Sequence, residues 1–181
     1  MSPIHLRNGL KFHDHMSLVE HLAQWLRPER YLEIGVLNGE SMKRIQNHAA
    51  ECYGVDVTFS HRNYNSNVKL FEMPSDAFFS TLNPSIKFDM IFIDGLHEKS
   101  QVYKDFINSK DRIIEDGLIV LHDTYPMDSE MAQPWFCHDA WEAAQKIKKE
   151  FRDDFEMITL PFNPGISIMK KMRYDKQLIW K

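Results

Sequence analysis

The 181-residue chain reads as an α/β domain: an open, mostly parallel seven-stranded sheet with helices on both faces and a C-terminal antiparallel hairpin. Three observations predict this class. Short apolar runs alternate with amphipathic segments of helical spacing, the pattern of a parallel sheet wrapped by helices. An apolar run ending at Glu33 and Ile34 is followed by Gly35 and Gly39 and then by a polar stretch suited to open a helix. That is the strand, tight turn and helix N-terminus at which such sheets hold nucleoside-containing ligands. The last two strand-like runs are joined only by Pro161-Phe162-Asn163-Pro164-Gly165, too short for a crossover helix, so they pair as a hairpin.

The elements follow in order. His15–Leu26 carries Met16, Leu18, Val19, Leu22, Ala23 and Leu26 at helical spacing and stops before Pro28. Strand-like runs lie at Tyr31–Ile34, Glu51–Val57, Lys69–Glu72, Asp89–Ile93, Leu118–Leu121, Glu156–Leu160 and Ile166–Lys170. Helix-like segments lie around Ser41–His48, Ser75–Thr81 and Lys99–Ile114, and Asp139–Phe151 precedes the last two strands. No repeat, low-complexity tract or linker divides the chain, so residues 1–181 are expected to form a single domain. Residues 1–14 are either a frayed end or a lid over the cleft.

Composition narrows the function classes. A hydrophobic fraction of 43% with 27% charged residues is that of a soluble globular protein and removes disorder as a default. The net charge of −4 gives no broad electrostatic footprint for nucleic acid. Lys146, Lys148 and Lys149 are flanked by Glu142, Glu150, Asp153 and Asp154, which reads as a solvated helix face. Cys52 lies in an apolar run and Cys137 in a loop, which argues against a disulfide framework and for a reducing compartment. There is no long apolar stretch and no leader pattern. The expectation is a cytoplasmic enzyme with no membrane or nucleic-acid partner and its oligomeric state open.

Ligands of open α/β sheets gather at the carboxyl ends of the strands, so the polar residues there carry the functional reading. Gly35 lets backbone turn without a Cβ beside a ligand, the next helix offers unpaired N–H groups, and Ser41 adds a hydroxyl; the plainer alternative is that Gly35 and Gly39 only shape a tight loop. Asp56, ending the second strand, is placed to accept ribose hydroxyls. Ser75 and Asp76 follow the third strand, where either also suits a helix N-cap. The fourth strand exits at Asp94 and the fifth at His122-Asp123. These strands should be neighbours, so two carboxylates and an imidazole would converge as a divalent-cation site. His97 lies three residues past Asp94, where an imidazole near pKa 6.5 could take a hydroxyl proton; otherwise it is a solvent-facing residue at a helix start. His13-Asp14-His15 is metal-like in composition but reads as a capping segment before the first helix. The irregular stretch Tyr125–Trp141 holds Tyr125, Trp135, Phe136 and Trp141, suited to stacking on a sugar ring or a phenol, or, for Trp141, to anchoring the next helix.

These motifs carry a resemblance. Position 33 is Glu, so the segment lacks the G-x-G-x-x-G dinucleotide fingerprint; Glu33-x-Gly35-x-x-x-Gly39 resembles motif I of the class I S-adenosylmethionine-dependent methyltransferases. Phe92-Ile93-Asp94-Gly95-Leu96-His97, followed by Gly117-Leu118-Ile119-Val120-Leu121-His122-Asp123-Thr124-Tyr125, resembles the small sugar O-methyltransferases. The layout is also similar to that of the metal-dependent catechol O-methyltransferase group, and it spans Arg30 to Lys170. The resemblance implies a Rossmann-like fold and S-adenosyl-L-methionine as cofactor. It implies cofactor contacts from Glu33, Gly35, Gly39, Ser41, Asp56, Ser75, Asp76 and Asp94, with Asp76 at the adenine amino group. It further implies Mg²⁺ or Mn²⁺ held by Asp94, His122 and Asp123, and catalysis by His97 with Asp94 and His122. His122 departs from the family, which commonly has an oxygen ligand there; imidazole suits Mn²⁺, Fe²⁺ or Zn²⁺ better than Mg²⁺. The expected activity is cation-assisted O-methylation of a sugar, glycan or small polyol. A catechol or phenolic O-methyltransferase is the alternative acceptor reading, and a non-catalytic cofactor-binding domain the alternative of another class.

Overall fold

A computed structural model describes residues 15–161 and 164–172. The expected lid, His13, Asp14 and part of the hairpin turn lie outside them. The chain runs α1 (His15–Leu26), β1 (Arg30–Ile34), α2 (Glu40–Ile45), β2 (Glu51–Asp56), β3 (Val68–Glu72), α3 (Ser75–Thr81), β4 (Phe88–Ile93), α4 (Lys99–Lys110), β5 (Ile113–His122), α5 (Ala140–Glu150), β6 (Phe155–Leu160) and β7 (Ile166–Lys171). One sheet has the order β3-β2-β1-β4-β5-β7-β6. All of its neighbouring pairs are parallel except those made by β7, which is antiparallel to both β5 and β6. The predicted fold class, hairpin included, is the one observed.

The alternation of the strands builds two cores. On one face Leu32, Ile34, Ile91, Ile93, Ile119 and Leu121 pack against Phe78 and Phe79 of α3, Phe106 of α4 and Ala144 and Ile147 of α5. On the other Tyr31, Met90, Phe92 and Val120 pack against Val19 and Ala23 of α1 and Met42 and Ile45 of α2. Successive strand residues therefore go to opposite layers, as a sheet covered on both sides requires. Most of these side chains are fully buried, each contributing about 1.5–3 kcal/mol.

The expected boundary between the helix at Lys99 and the following strand changes. The helix expected to run to Ile114 ends at Lys110, and Ile113 already belongs to β5. The register slips between Phe88 and Met90, and Gly117 sits at this irregularity. A Cβ there would lie 2.7 Å from Ile113 Cδ1 and 2.8 Å from the Asp89 carbonyl, so only glycine admits the close approach. The crossover from β2 to β3 contains no helix. Its loop is pinned by buried Phe59, by Ser60 N–H donating to Leu37 O, and by Asn67 Nδ2 donating to the carbonyls of Gln46 and Ala49.

From β1 the chain winds outward to β2 and β3, then returns to β4 and β5 on the other side. The order reverses between β1 and β4, and this is where a crevice opens in such sheets.

Candidate active site

A cavity of about 750 Å³ occupies the carboxyl ends of β1, β2, β4 and β5. Beneath it, Gly35 has φ +89°, and a Cβ there would lie 2.0 Å from the Asp94 carbonyl oxygen. Glycine is thus required where the β1 exit crosses the β4 exit. The loop is braced by Asp56, whose Oδ2 accepts from the N–H groups of Val36 and Leu37, each at 2.8 Å, and whose Oδ1 accepts from Thr58 N at 3.2 Å. Asp56 remains on the cavity wall.

Of the expected cofactor set, Gly35, Ser41, Asp56, Ser75, Asp76 and Asp94 line the cavity; Glu33 and Gly39 do not. Glu33 is fully buried and accepts from the Tyr31 hydroxyl at 2.8 Å and the Ser41 hydroxyl at 2.5 Å. Burial pushes its carboxyl up to about 8, against the lowering effect of those two hydroxyls. Its contact with the cavity lining is the hydrogen bond from Ser41. Gly39 has φ +72°, and a Cβ there would overlap the Tyr64 hydroxyl at 1.7 Å, so its place is structural.

At the far end α3 takes Pro74 as its N-cap, with no side-chain cap. Ser75 and Asp76 therefore do not cap, and are occupied with α4. Ser75 Oγ donates to Asp105 Oδ1 at 2.6 Å, and Gln101 Nε2 donates to the same oxygen at 3.0 Å. Asp76 pairs with Lys104 at 2.5 Å. Asp105 is only 1% exposed, and burial lifts its carboxyl to about 6. The sequence reading missed it because it belongs to no motif. Its one signal was its position among Val102, Phe106 and Ser109 on the buried face of α4.

The other half of the cavity holds a cluster of carboxylates and imidazoles. The register Ile93↔Leu121 sets Asp94 beside His122-Asp123, and the β5 exit turns sharply, with Asp123 at φ 58°. His122 Nδ1 lies 2.7 Å from Asp94 Oδ1 and 3.3 Å from Asp123 Oδ2. His97 Nε2 lies 3.0 Å from Asp123 Oδ2 and 3.7 Å from Asp94 Oδ1, while its Nδ1 meets the Phe136 carbonyl at 2.5 Å. That contact draws the Trp135–Phe136 turn to the cavity. Cys137 Sγ contacts Asp123 Oδ1 at 3.3 Å. Buried His122 Nε2 lacks a hydrogen bond, whereas Asp123 Oδ2 is held by ion pairs with both imidazoles.

Charge is balanced inside this cluster. Asp123 and then Asp94 raise His97 to about 10. Burial alone would lower His122, but Asp94 and Asp123 outweigh it and raise it to about 9. Burial opposes ionisation of Asp123, yet the two imidazoles hold it well below the usual carboxylate range. Asp94 is likewise lowered against burial, chiefly by His122. The neutral His97 expected near 6.5 is therefore an imidazolium while both carboxylates face it.

The donor atoms of Asp94, His97 and Asp123 lie within 4.8 Å of one another, and so do those of His15, Asp94 and His122. The expected metal set of Asp94, His122 and Asp123 is thus spread over two groups sharing Asp94. His15, read from sequence as a capping residue, opens α1 with its ring 3.9 Å from that of His122. Of the aromatic insertion, Trp135 and Phe136 reach the cavity wall, and Tyr125 and Trp141 do not. No helix among the described residues is long and apolar enough to cross a membrane.

Comparison with known proteins gives this cavity a context. A cofactor-bound protein from MTB has 17% identity and a TM-score of 0.70, covering 92% of this chain and 83% of its own. An O-methyltransferase from Bacillus cereus in complex with SAH has 14% identity and a TM-score of 0.66, covering 86% and 80%. The N-methyltransferase NodS from Bradyrhizobium japonicum has 12% identity and a TM-score of 0.61, covering 85% and 91%. At such identities the likeness is one of fold, and it spans both oxygen and nitrogen acceptors. No curated protein sequence matches. The family described as Methyltransferase domain matches residues 32–124, more than half of the chain, from the buried β1 strand through the His122-Asp123 exit; the chain belongs to that methyltransferase family.

Proposed function

We propose that the chain is an S-adenosylmethionine-dependent O-methyltransferase, assisted by a divalent cation, that acts on a hydroxyl of a sugar, glycan or small polyol. One observation carries this reading: the braced glycine loop and the Asp94, His97, His122 and Asp123 cluster open into the same cavity. The first suits a nucleoside cofactor, and the second suits activation of a hydroxyl. The O-methyltransferase among the structural relatives supports the same choice.

When bound, S-adenosylmethionine supplies an electrophilic methyl group. Transfer of that methyl to an acceptor hydroxyl would need a protein group to take the hydroxyl proton. Asp56 and Ser75 line the end of the cavity suited to adenosine, and Gly35, Asn38 and Ser41 line the end suited to the amino-acid part. A divalent cation on Asp94, His122 and Asp123 would supply Lewis-acid stabilisation of the developing alkoxide. The donor set fits one, because buried His122 Nε2 has no hydrogen-bond partner and the two carboxylates supply negative charge. His97 loses the field that holds its proton once Asp94 and Asp123 are engaged elsewhere, and its Nε2 becomes able to accept the hydroxyl proton. Its Nδ1, meanwhile, is oriented by the Phe136 carbonyl. Trp135, 77% exposed, offers a stacking face for a ring at the mouth. That same face keeps a catechol acceptor as the second reading.

Calorimetry with S-adenosylhomocysteine, followed by turnover on a panel of sugars, polyols and catechols with and without chelator, tests the proposal. We expect binding, methyl transfer to a sugar or polyol, and loss of activity with chelator or in Asp123→Ala. Activity only on catechols would overturn the acceptor reading. Full activity under both perturbations would overturn the cation, and binding without any transfer would leave a cofactor-binding domain.

A further inference from the structure

We infer that His15, at the start of α1, is a further ligand of this metal centre and turns it into a nitrogen-rich site that selects a transition-metal ion over Mg²⁺. The inference rests on the cation reading above and concerns a residue outside the β4 and β5 exits that carry the other donors.

Geometry comes first. Donor atoms of His15, Asp94 and His122 lie within 4.8 Å of one another, close enough to share one ion with modest side-chain rotation. The His15 and His122 rings are 3.9 Å apart and inclined by 41°. Beside them, one ring nitrogen remains unpaired: His122 is 9% exposed, and its Nε2 has no hydrogen-bond partner. A buried imidazole nitrogen left in this way costs free energy unless something binds it.

The position of His15 is fixed by the fold. Val19 and Ala23 on the same helix are fully buried against the sheet face that carries Phe92 and Val120. Arg44 of α2 donates to Ser17 Oγ at 3.3 Å and faces Glu20 at 3.9 Å. The first turn of α1 is therefore held over the β5 exit by packing on one side and polar contacts on the other.

Electrostatics and donor chemistry then set the preference. A helix N-terminus carries roughly half a positive charge, which disfavours a cation beside His15. Two carboxylates, Asp94 and Asp123, outweigh it once the ion takes the place of the proton on His122. His15, His122 and Asp94 would give one ion two imidazole donors and a carboxylate, with Asp123 beside His122. Imidazole suits Mn²⁺, Fe²⁺, Co²⁺ or Zn²⁺, whereas Mg²⁺ demands oxygen ligands and keeps its waters. The N-terminal helix thus becomes part of the reaction centre.

Isothermal titration of the metal-free full-length chain with Zn²⁺, Mn²⁺ and Mg²⁺ tests this directly, without any turnover. We expect wild type to bind Zn²⁺ and Mn²⁺ at least about tenfold more tightly than Mg²⁺. His15→Ala should lose roughly ten- to a hundredfold in Zn²⁺ affinity with little change for Mg²⁺, and the absorption bands of bound Co²⁺ should shift. Equal melting temperatures of the metal-free proteins establish that the variant folds. If His15→Ala does not fold, His15→Gln keeps the side-chain length and should show the same loss. Unchanged Zn²⁺ affinity and an unchanged Co²⁺ spectrum in the folded variant would overturn the inference and leave the cation reading intact. Failure of wild type to bind any of the three ions would overturn both.

Discussion

Replacing Glu33 by Gln probes the buried acid of the glycine-loop motif with almost no change of shape. The carboxyl accepts from Tyr31 and Ser41 and reaches no solvent. A glutamine carbonyl can accept from Tyr31, while its amide donates to a rotated Ser41 hydroxyl, so both contacts survive. Burial raises the native pKa from 4.5 to about 8. The native state therefore binds more protons than the unfolded state between those values, and wild-type stability falls as pH rises through that window. The shift of about 3.5 units at 1.36 kcal/mol each sets a ceiling of about 5 kcal/mol on the loss. Glu33→Gln does not titrate, so its stability relative to wild type should climb from pH 5 to pH 9, with all other groups cancelling in the difference. Urea unfolding of both proteins at pH 5, 7 and 9, followed by tryptophan fluorescence, measures it. A constant difference at all three pH values would refute the buried-acid argument, and a variant less stable than wild type by a growing margin would reverse its sign.

Two further substitutions test the crevice. Gly35→Ala would drive a Cβ to 2.0 Å from the Asp94 carbonyl at φ +89°, costing about 2–5 kcal/mol from backbone strain and overpacking; affinities for S-adenosylhomocysteine and for divalent cation should fall together, and a fully stable variant with both affinities intact would refute the shared crossing. Asp105→Asn keeps an oxygen for the Ser75 and Gln101 donors and should change stability at neutral pH by less than Asp105→Ala, which strands both donors at about 1–3 kcal/mol. Because burial raises Asp105 from 3.8 to about 6, wild type should also lose stability as pH rises between those values, while the Asn variant should not; denaturant midpoints across pH 4–7 check both statements.

What the sequence carried, and what it withheld, follows the range of the forces involved. The strand exits at Asp56, Asp94 and His122 were legible because a local apolar run ending in polar residues is enough to place them. The boundary between α4 and β5 was not, since Ile113 and Ile114 continue the apolar pattern of the helix, and it is the pairing of Ile113 with Phe88 of β4 that takes them into the strand. His15 and Asp105 were missed for the same reason: His15 reaches His122 across more than a hundred positions, and no local pattern encodes that contact.

Glu33 shows a finer case, in which the sequence held the answer and residue type obscured it. Tyr31 and Glu33 are two apart in a strand and so point to the same layer, the one covered by α1 and α2, where Tyr31 is fully buried. Parity alone thus sends Glu33 under α2, where Ser41 meets it. Asp94 stands one residue beyond the last position of β4, free of that alternation, and turns into the crevice. Both acids stand near the end of an apolar run, Asp94 directly before Gly95 and Glu33 two residues before Gly35. One is held neutral at pH 7 as a strut for the loop, while the other stays ionised among imidazoles, and the difference is that Asp94 lies past the end of its strand, two positions beyond the Phe92 that is in register with Glu33.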